Sequence, residues 1–372
     1  MLYIIVNSFA ANTAQTNRTL AMIQELDNKG VNAIVFFLYP DEHYNLLKAQ
    51  FNNIEIIHLW NRLFFRNKYI YKLWKNIWIP YISYLLKDGD EVLLLGASRF
   101  VSPLTHTRKK IKVYHERTEH PSVVSLPRYL QSKYLQSCKR LDGLFVISTN
   151  LKKYFISIGV KPEKITIVNM IVNPSRFEGI NKKDVPARYV AYCGTASNNK
   201  DGVDDLIRSF AYVVKEKPDV KLYIIGKTPT KSDEAGNLAL IDVLNLKDKI
   251  IFTGVVEANL MPQMLKNAEV LVLNRPKSIQ AQNGFPTKLG EYLLTKNPVV
   301  ITSVGDIPLF LSDGVDAMIS EDKNPKMFAE KILFLLNNKD IASKIGQAGE
   351  KVALNCFNSK IEVQKIIDKI YS

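Results

Sequence analysis

The run Asn283-Gly284-Phe285-Pro286-Thr287-Lys288-Leu289-Gly290-Glu291-Tyr292-Leu293 holds the residues best suited to chemistry. It lies between two apolar stretches that read as strands, 269–274 and 298–302. Open α/β folds bind ligands at such turns, beyond the carboxyl ends of their strands. Pro286 suits the first position of a helix, which puts Lys288 in its first turn. A cation there opposes the helix dipole at a cost of about 0.3–1 kcal/mol. An anion seated before the helix, held by N–H groups and the ammonium, offsets that cost. Glu291 follows three residues later and can accept hydrogen bonds from a polyol. Phosphate at one end and sugar hydroxyls at the other describe a nucleotide. The plainer reading is a surface i,i+3 ion pair worth ~0.2–0.5 kcal/mol, with lysine on the less favourable N-terminal side.

A second strand–turn–helix comprises Cys193-Gly194-Thr195-Ala196-Ser197-Asn198-Asn199-Lys200-Asp201-Gly202. Gly194 at the strand end would let the backbone approach a ligand. Lys200 and Lys288 together would neutralise a diphosphate leaving group without a metal. The chain has no His/Asp/Cys cluster with ligand spacing, so no bound metal or cofactor is expected.

A third segment, His115-Glu116-Arg117-Thr118-Glu119-His120, is too charged to read as core. It is a solvated loop or a loop facing substrate. In the second case His115 or Glu116 would bind sugar hydroxyls or handle the acceptor's proton. The stretch 60–87 contains all three tryptophans, Trp60, Trp74 and Trp78, interleaved with Arg62, Arg66, Lys68, Lys72 and Lys75. Aromatics and cations at helical spacing describe either a core helix with a basic face or a helix lying on an anionic membrane.

Short apolar strands alternating with helices must position these residues. In the first half the strands fall at 2–7, 31–38, 54–59, 91–95, 111–114 and 143–147; in the second at 189–193, 221–225, 249–252, 270–273 and 299–302. The pattern predicts two doubly wound, parallel-sheet α/β domains in tandem, with a break near 173–185. A chain of 372 residues, 47% hydrophobic and 23% charged, can bury two cores. Three scattered cysteines make neither a disulfide framework nor a metal site and suit a reducing compartment. No signal peptide or spanning helix is evident, so a cytoplasmic location is expected. The net charge of +14 calls for an anionic partner. The lysines are dispersed and no nucleic-acid-binding signature occurs, which disfavours nucleic acid.

Together these segments resemble the GT-B glycosyltransferases, specifically the retaining family 4 (glycosyl transferases group 1) of bacterial surface polysaccharide synthesis. The resemblance rests on 194–207, on Tyr223-Ile224-Ile225-Gly226, on Ser148 with 159–165, on Val172-Asn173-Pro174-Ser175-Arg176-Phe177 and, most specifically, on 285–293. It implies two Rossmann-like domains facing a central cleft: 1–176 on the acceptor side, 177–355 for the nucleotide sugar, and a C-terminal helix, 356–372, packing back on the first. It also implies roles. Glu291 would hold the donor's ribose. Lys200 and Lys288 would bind its diphosphate. Gly284 and Phe285 would bring N–H groups to the donor. Retaining members react on one face of the sugar, the departing phosphate oxygen helping to take the acceptor proton. The chain departs from the family pattern: Asn283 stands where a glutamate is usual, Thr195 where an arginine is usual and Met170 where a hinge asparagine or proline is usual, and the first loop, Ser8 to Asn17, has no glycine pair.

The sequence thus predicts a retaining transferase that moves a sugar from a UDP- or GDP-sugar to a glycan, lipid-linked acceptor included, at an anionic membrane surface contacted through 60–87. Two rivals stand beside it. A UDP-sugar 2-epimerase-like enzyme on the same fold would draw its acid and base groups from the 115–120 segment. A non-catalytic binding subunit is suggested by Asn283 and Thr195.

Overall fold

The computed structural model describes residues 1–6, 14–38, 51–58, 77–123, 128–228 and 230–372. Most of the tryptophan-rich stretch, up to residue 76, lies outside the described residues, as do residues 7–13. Contacts divide the chain into two units, Met1–Ile171 with Ser359–Ser372, and Val172–Asn358.

The first unit is built on seven parallel strands: β1 (Leu2–Val6), β2 (Ala33–Phe37), β3 (Ile54–His58), β4 (Glu91–Leu95), β5 (Lys112–Arg117), β6 (Gly143–Val146) and β7 (Ile165–Ile167). Their order is β3-β2-β1-β4-β5-β6-β7. Helices cover both faces, so most of the strands are continuous apolar runs instead of alternating; β4 and β6 are buried almost end to end. The helix Ser359–Tyr371 belongs to this unit, and its Val363, Ile366 and Ile370 complete the core around β1 and β2. Each buried side chain contributes at most about 1.5–3 kcal/mol. Tyr114 donates its hydroxyl to the Ile370 carbonyl at 3.1 Å, and Glu362 accepts the Asn169 N–H at 2.7 Å.

The second unit repeats the plan with β8 (Tyr189–Cys193), β9 (Lys221–Ile225), β10 (Ile250–Gly254), β11 (Val270–Leu273), β12 (Val299–Thr302) and β13 (Met318–Ser320). The order is β10-β9-β8-β11-β12-β13, all parallel. Two strands escape the sequence reading, β7 and β13. Each has three residues and lies at a sheet edge, too short for a pattern to declare itself. In this sheet the winding reverses between β8 and β11. Loops leaving adjacent strands there diverge to opposite faces and open a crevice, the usual place for a ligand.

Candidate functional site

The crevice of the second unit is lined by three turns. After β8 the chain turns at Gly194, whose φ of +146° suits glycine. A Cβ there would stand 2.3 Å from the Lys288 Nζ, so the glycine makes room for that ammonium. The next turn, Asn198–Asp201, is capped by Ser197, whose Oγ accepts the Lys200 N–H at 3.3 Å. It ends at Gly202 in the left-handed region, φ +61°, where a Cβ would meet the Asn274 carbonyl at 2.1 Å. The loop after β11 therefore lies directly against this turn, bringing Arg275 to it. The third turn starts the helix Thr287–Leu294, with Pro286 at the cap, one position earlier than expected. Tyr292 ties this helix to β8: its hydroxyl accepts the Cys193 N–H at 2.6 Å.

These turns deliver one acid between two cations. Lys288, 14% exposed at its side chain, places Nζ 2.7 Å from Asp201 Oδ2 and 2.9 Å from the Tyr192 hydroxyl. The same ammonium lies 4.4 Å from the centre of the Tyr192 ring. On the other side of Asp201, Arg275 Nε stands 3.6 Å from Oδ1. Asp201 is 2% exposed and Arg275 5%. Burial raises the Asp201 carboxyl, but Lys288 and then Arg275 outweigh it and hold it below the ordinary carboxylate range. Burial lowers the Lys288 ammonium, and Asp201 opposes that shift. Three residues on, Glu291 accepts from the Arg176 guanidinium, both groups partly buried. Cys193 lies in the same neighbourhood, its thiol pushed up to about 12 chiefly by burial.

Several sequence expectations meet a different geometry. Lys288 and Lys200 were expected together on a diphosphate; in the free protein Lys288 pairs with Asp201, the residue after Lys200. Gly284 was to offer its N–H to a donor; instead it closes the helix Ile279–Asn283 and gives that N–H to the Gln280 carbonyl at 2.9 Å. The Phe285 ring is buried against Phe310 and Phe357, with centroids 5.5 and 5.3 Å away. Asn283 turns its amide back on its own helix, donating to Ile279 O at 2.9 Å. Thr195 accepts the Tyr192 hydroxyl at its carbonyl, 2.7 Å away. Asp201, Arg275 and Arg176 had been given no role. Asp201 sits between two singled-out residues, and Arg275 is a charge just past a strand's carboxyl end, which is the signal that could have found it.

The 115–120 segment in the first unit needs the largest correction. It is not a loop through Arg117 but the body of β5, buried from Val113 to Arg117. His115 is fully buried, with Nδ1 3.0 Å from the Leu94 carbonyl and Nε2 3.1 Å from the Tyr134 hydroxyl. Nδ1 faces a carbonyl and so carries the proton; Nε2 accepts from Tyr134. Burial, with Arg117 adding to it, drives the imidazole pKa down to about 3, so His115 is neutral. Glu116 Oε1 accepts two bonds from Arg18, at 2.7 and 2.9 Å, and Arg18 also donates to Asn169 O at 2.6 Å. Arg117 donates to Ser98 Oγ and Glu119 O. A strand inside a covered parallel sheet has no solvated face, so its charged residues need internal partners. Here each has one, and His115 and Glu116 are structural in this arrangement.

The second unit is thus a doubly wound parallel sheet with charged groups gathered at its switch point. Residues 187–338 match the model of glycosyl transferases group 1. The chain is 26% identical over 280 residues to the capsular polysaccharide biosynthesis glycosyltransferase CapM of Staphylococcus aureus, covering 68% of each chain. Among solved structures it resembles Anabaena HepE in complex with UDP and glucose, with a TM-score of 0.76 at 14% identity over 100% of this chain and 99% of that one. It resembles S. aureus TarM, solved with UDP and a GlcNAc-glycerol, with a TM-score of 0.76 at 13% identity and the same coverage. The fold is therefore the GT-B fold of these enzymes. The chain carries a group 1 glycosyltransferase domain and is a glycosyltransferase.

Proposed function

We propose that the chain transfers a sugar from a nucleotide diphosphate sugar to a glycan in surface polysaccharide synthesis, with retention of anomeric configuration. The observation that carries this reading is the cluster Lys288–Asp201–Arg275 at the switch point, with Glu291 one turn further along the same helix. Lys288 and Arg275 are placed to stabilise charge developing on a leaving diphosphate. Glu291 is placed to accept from ribose hydroxyls. UDP is favoured over GDP because HepE and TarM were both solved with UDP. Catalysis then consists of positioning the donor and stabilising the leaving group, with no resident metal. The 2-epimerase reading draws on the 115–120 segment; burial takes His115 and Glu116 out of it and leaves it Glu119 and His120.

The test begins with a thermal-shift screen of UDP- and GDP-sugars. A hundredfold excess over Kd stabilises by about 2.7 kcal/mol. Transfer to oligosaccharide and lipid-linked acceptors is then followed with and without EDTA, and the product's anomeric configuration is read by NMR. Absence of any nucleotide-sugar shift would sink the donor assignment. An inverted product would sink retention, and loss of transfer in EDTA would sink the metal-free site.

We further place the protein at the cytoplasmic face of an anionic membrane, where a lipid-linked acceptor would be met. Charge is divided unequally. The first unit has 26 Lys and Arg against 14 Asp and Glu, the second 24 against 22. On the helix Trp78–Leu85 and the residue before it, Ile77, Tyr81 and Tyr84 are 47, 44 and 82% exposed. Their spacing puts them on one face. Lys109 Nζ donates to the Ser83 and Tyr84 carbonyls at 2.6 and 3.1 Å, adding a cation to that helix end. No helix among the described residues is long and apolar enough to cross a membrane. Tyr81→Glu with Tyr84→Glu should reduce co-sedimentation with phosphatidylglycerol vesicles; unchanged binding refutes the surface.

A further inference from the structure

Arg176 is a charge outside the cation cluster that nonetheless reaches the donor turn. It stands in the short turn Pro174–Phe177, four residues after the chain enters the second unit at Val172. That turn is rigid for local reasons. Pro174 fixes its first φ. Asn173 Oδ1 accepts both the Ser175 N–H at 3.0 Å and the Ser175 hydroxyl at 2.8 Å. From this base the Arg176 guanidinium donates to Glu291 Oε1 across 115 residues of sequence. Glu291 itself rides on a helix tied to β8 through Tyr292. Both ends of the ion pair are therefore held by backbone that does not depend on the pair.

We propose that Arg176 is a positioning residue for donor binding, orienting the Glu291 carboxylate toward the ribose hydroxyls. This rests on the reading of Glu291 as the ribose partner. An ionised carboxylate has about four acceptor positions, so an oxygen bound to Arg176 still accepts from a hydroxyl. A guanidinium is a donor only and leaves the ribose hydroxyls no choice but to donate to Glu291. Glu291 has three side-chain torsions, and the pair removes most of their freedom before the nucleotide arrives. Such preorganisation appears as affinity for the groups the carboxylate reads and for no others.

The experiment measures binding of UDP and of 2′,3′-dideoxy-UDP by calorimetry to the full chain, or of the guanosine pair if the screen selects GDP. Arg176→Gln should weaken the ribose nucleotide about tenfold while leaving the dideoxy analogue unchanged, so the preference for ribose collapses. Arg176→Lys keeps the charge but not the planar fork; it should recover part of the preference and serves alone if the glutamine variant does not fold. Equal weakening of both nucleotides makes the pair merely structural and overturns the proposal. Tighter ribose binding overturns it too, because Arg176 would then be a placeholder that the ribose displaces. Glu291→Gln separates the levels. If it leaves the ribose preference intact, the Glu291 assignment fails; if it abolishes that preference and Arg176→Gln does not, only the positioning role fails.

Discussion

Asp201→Asn tests the cluster most directly. The substitution keeps the shape of the side chain and removes its charge. Lys288 and Arg275 are then left, 14% and 7% exposed at their side chains, with no carboxylate between them. Removing one partner of a buried pair costs about 3–5 kcal/mol, and the partial exposure of Lys288 points to the lower end. For a unit of this size roughly 1 kcal/mol moves the midpoint by 2–4 °C, so a fall of roughly 6–12 °C is expected. Lys288→Met should cost less, about 1.5–3 kcal/mol, because Asp201 retains Arg275 and the Tyr192 hydroxyl. The two changes should not add: once the lysine is gone, losing the carboxylate strands only one cation. The pH dependence follows from the sign of the shift. The folded Asp201 pKa lies below the unfolded value of about 3.9, so its contribution is complete above that value and is lost as pH falls through the folded one. The gap between wild type and Asp201→Asn should be constant from pH 7 to 5 and close in stronger acid. Thermal unfolding by circular dichroism, with and without UDP, reads all of this. UDP should raise the midpoint of Asp201→Asn more than that of wild type, since a diphosphate brings the missing anion. Additive losses, or a gap that persists below the folded pKa, would refute the reasoning.

Other consequences are simpler. Gly194→Ala adds a Cβ 2.3 Å from the Lys288 Nζ at a φ of +146°; it should displace the lysine and weaken UDP binding at least tenfold with most of the fold retained, which calorimetry checks. His115→Phe should leave transfer per folded molecule unchanged while costing about 1–3 kcal/mol in urea unfolding, from the bonds lost to the Tyr134 hydroxyl and the Leu94 carbonyl. Its folded pKa of about 3 is below the unfolded value, so the wild type loses up to ~1.4 kcal/mol of stability per pH unit between about 6.5 and 3 through this group. His115→Phe should remove that slope; a variant that folds but transfers no sugar would restore His115 to the chemistry.

The sheets were legible because parallel strands covered on both faces must be short apolar runs, and 91–95, 189–193 and 270–273 are such runs. The start of the helix Thr287–Leu294 was legible for a related reason: Pro286, Lys288 and Glu291 have local consequences for a helix start. What misled was the assumption that charge in sequence means exposure in space. His115, Glu116 and Arg117 lie in a row on β5, and each finds a partner on a different element: Tyr134, Arg18 and Ser98. Nothing in the order of residues along 112–117 announces partners 19 to 98 positions away.

The same assumption hid Asp201. A turn meant for phosphates invites a search for cations, and the nearest cation in sequence was Lys200. But a phosphate turn must also fold when no phosphate is there. Lys288 is held where burial disfavours its charge, and Arg275 is more buried still. Left alone, the two would repel in a medium where water screens them poorly. An acid between them offsets that repulsion and opposes the loss of the Lys288 charge. It leaves the cluster with one net positive charge, so a diphosphate is still attracted. On the proposed reading, Asp201 belongs to the anion site because it occupies, in the free protein, the electrostatic place that a diphosphate's charge would take.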